Sequence, residues 1–215
     1  MIEWDLSKAE NDLKQAYSEN SELKLLTLLK SNTFLLYELF TRKHGIQPIF
    51  HEVNFGARLR CDFAWLNDNS DGPEWVLVEI EKPCIQLLTK GEIPTSELNK
   101  GIEQVRSWQR YFDENPHEKR RIFGAVSRFR FILVTGTSES WHEPSAAKWR
   151  SHYNRTNQIE IRSCGVFDQA LVSYKNHPED FWSFREHPKT MGDSKLSKYW
   201  MDYGYMDHWR TIYNT

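Results

Sequence analysis

The sequence predicts an α/β domain with a mixed sheet, built in the order helix, three strands, helix, strand and closed by an aromatic-rich C-terminal extension. Three observations predict it. Strand-like apolar stretches recur between residues 48 and 80 at hairpin spacing, and the Val76-Leu77-Val78 core of the last is continuously apolar, as in a strand covered on both faces. A helix pattern follows, with Leu98, Ile102, Val105 and Phe112 on one stripe. A further apolar strand, Phe129 to Thr135, comes after a charged connector at residues 113–121.

The remaining elements follow from local signals. Residues 1–20 are polar with scattered apolar positions and predict a peripheral helix. Residues 21–43 read as helical, with Leu25, Leu28 and Leu29, then Leu36, Leu39 and Phe40, at helical spacing. Ser31-Asn32-Thr33 predicts a break between two helices, and Gly45 ends the region. The three strands are placed at Pro48 to Phe55, Leu59 to Leu66 and Trp75 to Ile80, with a loop from Asn67 to Pro73. Residues 84–95 are a loop, and Ser96 is the expected cap of the next helix, with Glu97 in its first turn. A helix is expected over 143–155, a fifth strand from Ile159 to Ser163 and a short helix from Asp168 to Lys175.

Periodicity fails after residue 178, yet Trp182, Phe184, Tyr199, Trp200, Tyr203, Tyr205, Trp209 and Tyr213 crowd that tail. A free tail would be poor in aromatics, so this one is expected to pack on its own core or, as the better bet, on another subunit. The chain is therefore divided into residues 1–178, a domain with N-terminal helices, and residues 179–215, an aromatic extension.

Composition narrows the class. With 215 residues, 39% apolar and 14% aromatic, the chain can bury a sizeable core. A formal net charge of -2 argues against a generally basic DNA-coating protein but leaves local phosphate-binding patches open. Cys61, Cys84 and Cys164 form no C-x-x-C pair, which fits a reducing compartment. No apolar run would cross a bilayer and the N-terminus has no signal-peptide pattern, so a cytoplasmic protein with no membrane partner is expected. The His residues show no zinc-site spacing, and Gly136 in V-T-G-T-S lacks the Lys and spacing of a Walker motif.

The chemistry concentrates where the strands end. Asp62 lies inside one strand pattern, and Glu79, Glu81 and Lys82 close the next. Buried charge needs a partner, and a divalent cation such as Mg2+ is the natural one for Asp62 and Glu79. Such an ion would polarise a scissile phosphate and activate a water, with Lys82 as the obvious cation to offset the developing charge. Strand alternation complicates that role, since Glu79 and Glu81 face one way and Lys82 the other. A bulge before Pro83 would bring Lys82 back beside Glu79. Two readings stay open: Lys82 as the catalytic cation, or Glu81 as a second metal ligand or base. Gln104, with Trp108 four residues later on the same helix face, can donate to a metal-bound carboxylate or to a phosphate, or can simply be a surface glutamine. Arg58 and Arg60 are well placed for phosphate. Arg106 and Arg110, with Lys119, Arg120, Arg121, Arg128 and Arg130, form a second basic group that is as readily a solvated surface. Glu22 and Glu38 on the first helical region are within possible reach of the metal.

The element order, with D…E-x-E-K and a downstream Q-x-x-x-aromatic, resembles the PD-(D/E)xK nuclease superfamily. More narrowly, V-L-V-E-I-E-K-P, L-L-T-K-G-E-I-P-T-S-E-L and G-I-E-Q-V-R-S-W-Q-R-Y resemble the Shedu (SduA) C-terminal nuclease domain, as do F-I-L-V-T-G and N-Q-I-E-I-R-S-C-G-V-F-D-Q-A-L further on. The likeness runs over residues 21–175. It implies a restriction-endonuclease-like core, an Mg2+-dependent DNA endonuclease with Mn2+ as a substitute, antiphage defence and a homo-oligomer. It also implies catalytic roles for Asp62, Glu79, Glu81, Lys82 and Gln104. Two departures stand out: Arg60-Cys61 replace the Pro of the motif before Asp62, and Glu81 occupies the lysine position, with Lys82 one place later. Some restriction enzymes of that fold tolerate Glu there. The alternative function is a catalytically weak nucleic-acid-binding or DNA-end-sensing module of the same fold, and a third is an interaction protein with a vestigial site.

Overall fold

The uninterrupted apolar run that predicts a doubly covered strand forms the middle of the sheet. In this computed structural model, which describes residues 4–56 and 58–213, Gly72–Ile80 (β3) is buried along its whole length. Leu59–Asn69 (β2) pairs antiparallel with β3, and Phe50–Phe55 (β1) pairs antiparallel with β2. Arg128–Val134 (β4) runs parallel to β3, and Ile159–Arg162 (β5) parallel to β4. Met191–Gly192 (β6) adds a short parallel edge to β1, giving the mixed order β5-β4-β3-β2-β1-β6.

The expected loop from Asn67 to Pro73 is instead the end of a tight hairpin. Asn67, Asp68 and Asn69 pair with Glu74, Pro73 and Gly72, leaving Ser70-Asp71 as the turn. The polar residues are tolerated because they satisfy one another: Asn67 Nδ2 donates to Glu74 Oε2 at 2.8 Å, and Arg128 Nε donates to Glu74 Oε1 at 2.6 Å. Gly72 supplies the φ of 115° that the turn needs.

Helices cover both faces. Leu6–Ser18 (α1) starts at Asp5, whose carboxylate accepts from Lys8 N, and buries Ala9, Leu13 and Ala16. Glu22–Ser31 (α2) is capped by Ser21, and the helix breaks at Asn32 into the 3-10 turn Thr33–Leu39, as the sequence predicts. Ser96–Glu114 (α3) is capped by Thr95 rather than by Ser96, because it is the Thr95 hydroxyl that accepts from Leu98 N. The connector folds as a helix, Pro116–Phe123 (α4): Pro116 suits its first turn, and Ile122 and Phe123 are buried. Ser138–His142 (α5), Pro144–Thr156 (α6) and Gly165–Asn176 (α7) complete the central region.

Strand alternation divides the core. Phe63, Trp65, Val76 and Val78 face a layer built from α1, α2, the 3-10 turn and α7. Ala64, Leu66, Trp75 and Leu77 face α3, α4 and α6. The tail belongs to these two cores. Phe181 and Phe184, the latter in Trp182–Glu186 (α8), are fully buried in the first. Leu196 of Leu196–Asp202 (α9) and Met206 of Tyr205–Tyr213 (α10) are buried in the second. Trp200 Nε1 donates to Ile122 O at 2.9 Å, Tyr205 OH to Asn69 O at 2.6 Å and Tyr199 OH to Gln47 Oε1 at 2.8 Å. Of the two expected surfaces, the chain's own core receives the tail: Tyr199, Trp200, Tyr203, Tyr205, Trp209 and Tyr213 pack partly buried against it, while Trp182 stays 48% exposed.

Candidate active site

The site begins where the central hairpin stops pairing regularly. Phe63 opposes Val78, so Asp62 and Glu79 are the next residues on the neighbouring strands. Alternation turns both towards α3. Asp62 Oδ2 accepts from Ile80 N at 2.8 Å, so a carboxylate takes the place of a ladder carbonyl. In β1, between the His51–Phe63 and Val53–Cys61 pairs, Glu52 has a left-handed φ of 54°. Its carboxylate stays outside, 3.3 Å from both Lys30 Nζ and Arg60 Nη1.

Helix α3 seats directly on this end of the sheet. A Cβ on Gly101 would lie 3.3 Å from Glu81 Cγ and 3.2 Å from Leu133 Cδ1, so only glycine fits without displacement. The approach lets Gln104 Nε2 donate to Glu79 Oε1. Trp108, one turn further, is fully buried edge-on to Phe55 with ring centroids 5.7 Å apart.

A cleft of about 450 Å³ results. Asp62, Glu79, Glu81 and Gln104 line it, with Glu22 from the start of α2. Arg58, Arg60 and Lys100 supply its positive rim. Arg58, Arg60 and Lys100 also line an adjoining concavity with Arg110 and Trp108.

Burial dominates the electrostatics. It pushes the Asp62 carboxyl up to about 7, helped by the charges of Glu22 and Glu81 and opposed by the Ile80 N–H and Arg60. Glu79 is raised well above the usual carboxylate range, first by burial and then by Asp62, Glu81 and Glu22. Glu81 is raised by burial and by Glu22, against the pull of Lys100 and Lys82. Glu79 Oε2 is buried with no hydrogen-bond partner among the described residues.

Two buried carboxyls side by side, one with an orphaned oxygen, fit a divalent cation. Among the described residues no group of three or more His, Cys, Asp or Glu forms a ready-made metal cage. Mg2+ suits such a place, since it is commonly held by one or two carboxylates plus waters and substrate phosphate.

A pH dependence of stability follows for the metal-free chain. Both carboxyls titrate above their unfolded values, so their contribution is complete below about pH 4 and is lost as pH rises through the folded values, about 7 for Asp62 and raised well above the usual carboxylate range for Glu79. For Asp62, a rise from 3.8 to about 7 corresponds to about 4 kcal/mol, or roughly 10 °C in Tm. Thermal melts in a chelator should show that fall between about pH 4 and 7, and Mg2+ should reverse it at pH 8. A flat profile that Mg2+ leaves unmoved would contradict the electrostatics described.

The other sequence-predicted residues lie elsewhere. Lys82 is exposed and does not line the cleft. Glu81 N donates to Val134 O at 2.9 Å, continuing the β3–β4 pairing one residue further. Alternation therefore carries Glu81 to the cleft and Lys82 away. Arg106 reaches Tyr153 OH at 3.5 Å, towards α6, and Arg110 pairs with Glu103 at 2.6 Å. The connector cations face protein acids: Lys119 lies 3.8 Å from Asp113 and Arg121 lies 2.7 Å from Glu118. Glu38 is held by Lys43 at 3.2 Å and Ser173 at 3.1 Å, away from the cleft. Lys100 is the lining residue that sequence reasoning passed over, although its spacing of four from Gln104 puts both on one helix face.

Comparison with known proteins gives three findings. The family model described as "Shedu protein SduA, C-terminal" matches residues 19–168. Among curated proteins there is no match. Among solved structures, restriction endonuclease FokI bound to DNA is similar, at 15% identity and a TM-score of 0.38, over 86% of this chain and 32% of that one. This chain thus spans about a third of the length of that protein.

Proposed function

This chain belongs to the Shedu protein SduA C-terminal family, and from that premise we propose that it is an Mg2+-dependent DNA endonuclease, with Mn2+ as a substitute cation. The observation that carries the reading is the cleft itself. It joins two buried carboxyls on neighbouring strands, Glu79 with an unpartnered oxygen, to a rim of Arg58 and Arg60. In this proposal the chain works in the cytoplasm as a homo-oligomer in antiphage defence. Residues 1–178 supply the site, and residues 179–215 close the two cores beneath it.

Asp62 and Glu79 would hold the cation. When bound, it supplies Lewis-acid polarisation of the phosphate and lowers the pKa of a nearby water. Gln104 fixes the orientation of Glu79 through its amide, leaving the other carboxylate oxygen free. Arg58 and Arg60 meet flanking backbone phosphates, which position the strand without reading its sequence. Glu81, with its proton affinity raised by burial, takes a proton from the attacking water. The water oxygen bonds to phosphorus and one P–O ester bond breaks. The departing oxygen keeps the electron pair and takes a proton from solvent.

One observation favours the weaker reading of a nucleic-acid-binding or end-sensing module: Glu81 stands at the usual lysine position, and Lys82 lies outside the cleft. Incubation of supercoiled and linear DNA with the protein in Mg2+, Mn2+ or EDTA separates the two. The nuclease reading expects cutting with either cation, none in EDTA and none from Asp62→Ala. Tight DNA binding with no cutting under any cation would leave the binding module.

Gln104 gives a finer check. Gln104→Ala removes the partner of Glu79 Oε1 without opening the core. It should slow cleavage by roughly 10- to 1,000-fold, about 1.4 to 4 kcal/mol, with a loss of stability of at most about 1–3 kcal/mol from the second unpartnered oxygen of Glu79. An unaltered rate in single-turnover kinetics would return Gln104 to a surface role.

A further inference from the structure

The nuclease reading leaves one chemical need unmet. Negative charge builds on a phosphate under attack, and a cation positioned there lowers the barrier. The motif position that would carry it is Glu81, and Lys82 points away from the cleft. Among the described residues, the cations lining the cleft are Arg58, Arg60 and Lys100.

These three are not equivalent. Arg60 is drawn to the Glu52 carboxylate at 3.3 Å, on the outer side of β1. Arg58 lies in the segment that leads into β2, at the mouth of the cleft. Lys100 sits on α3, just before two residues that tie this helix to the acids. Gly101, its neighbour, lets the helix approach Glu81 closely, with a built Cβ only 3.3 Å from Glu81 Cγ. Gln104, one turn on, bonds Glu79. Residues 100 and 104 share a helix face, so the lysine stem starts beside the carboxyls rather than across the groove. The charge of Lys100 acts on Glu81 more strongly than that of Lys82 does. Lys100 lines both this cleft and the adjoining concavity.

We propose that Lys100, from the helix, supplies the positive charge at the scissile phosphate that the strand motif does not provide. This rests on the nuclease reading above. Lys100 contacts a non-bridging phosphate oxygen and offsets the charge that grows there as the water oxygen bonds to phosphorus. Arg58 and Arg60 are left to bind the neighbouring phosphates. The helix thereby carries both the group that holds Glu79 and the group that meets the substrate, and Gly101 sets their distance from the sheet.

The test is cleavage kinetics with DNA affinity measured in parallel by fluorescence anisotropy in Ca2+. Lys100→Ala should lower kcat by about 10²- to 10³-fold while affinity changes by less than about threefold. Lys100→Arg should keep more activity than Lys100→Ala, and millimolar methylammonium should restore part of the lost rate to Lys100→Ala. Lys100 is exposed on its helix, so the variant should melt with the natural chain. Cutting by Lys100→Ala at the natural rate overturns the proposal and leaves the nuclease reading intact. So does a parallel loss of affinity and rate, which makes Lys100 a binding contact alone, or a result in which Lys82→Ala is the inactive variant. If the natural chain leaves DNA uncut in Mg2+ and Mn2+, the nuclease reading falls and the role of Lys100 falls with it.

Discussion

Asp62→Asn should be inactive and yet more stable than the natural chain at pH 8 without metal. The asparagine carbonyl can still accept from Ile80 N, the bond that Asp62 Oδ2 makes at 2.8 Å. What it removes is a charge that burial disfavours, on a carboxyl raised to about 7 beside a second raised carboxyl. The gain should be on the order of 2–4 kcal/mol at pH 8 and should vanish near pH 4, where the aspartate is neutral. Cleavage should fall by about 10³-fold or more, about 4 kcal/mol in the barrier, because a neutral amide is a poor ligand for a hard cation. Opposite signs for stability and activity mark a residue whose burial serves chemistry rather than the fold. Loss of both together would make Asp62 a structural residue.

The second large effect is truncation. Removing residues 181–215 takes away Phe181, Phe184 and Met206, all fully buried, together with nearly fully buried Leu196 and the β6 edge strand. Loss of a buried Phe commonly costs about 3–5 kcal/mol, and a whole domain is held by only about 5–15 kcal/mol. The shortened chain should therefore be unfolded or insoluble, with no near-UV circular dichroism. A tail that merely paired subunits would leave a folded, smaller species that melts at the natural temperature, and that outcome would refute the intramolecular packing.

Much of this was legible in the residues because the signals were local. The Val76-Leu77-Val78 run, the Ser31-Asn32-Thr33 break and the Leu98–Phe112 stripe each depend on neighbours a turn or a pleat away, and each stands where expected. Elements set by distant partners were not legible. Asn67 to Pro73 looks like a loop until Glu74 and Arg128 are seen to satisfy its polar groups. Residues 113–121 look like solvated charge until Ile122 and Phe123 anchor a helix beneath α9, where Trp200 bonds Ile122 O. In the cleft, strand periods put Glu79 and Glu81 on one face and the helix period puts Gln104 with Trp108, while their meeting depends on how closely α3 seats on the sheet. Lys100 escaped notice because its relevance depends on Gly101 bringing the helix against Glu81, a distance that no spacing encodes.

The most direct measurement of the central claim is Mn2+ located by anomalous scattering in crystals of the protein, beside crystals of Asp62→Asn. The account predicts one Mn2+ bonded to an oxygen of Asp62 and to the unpartnered oxygen of Glu79, at roughly the 2.1 Å of Mg2+ ligands. The peak should be absent in Asp62→Asn. Mn2+ bound at another site, or DNA cleavage by a protein whose cleft takes no cation at saturating Mn2+, would contradict it.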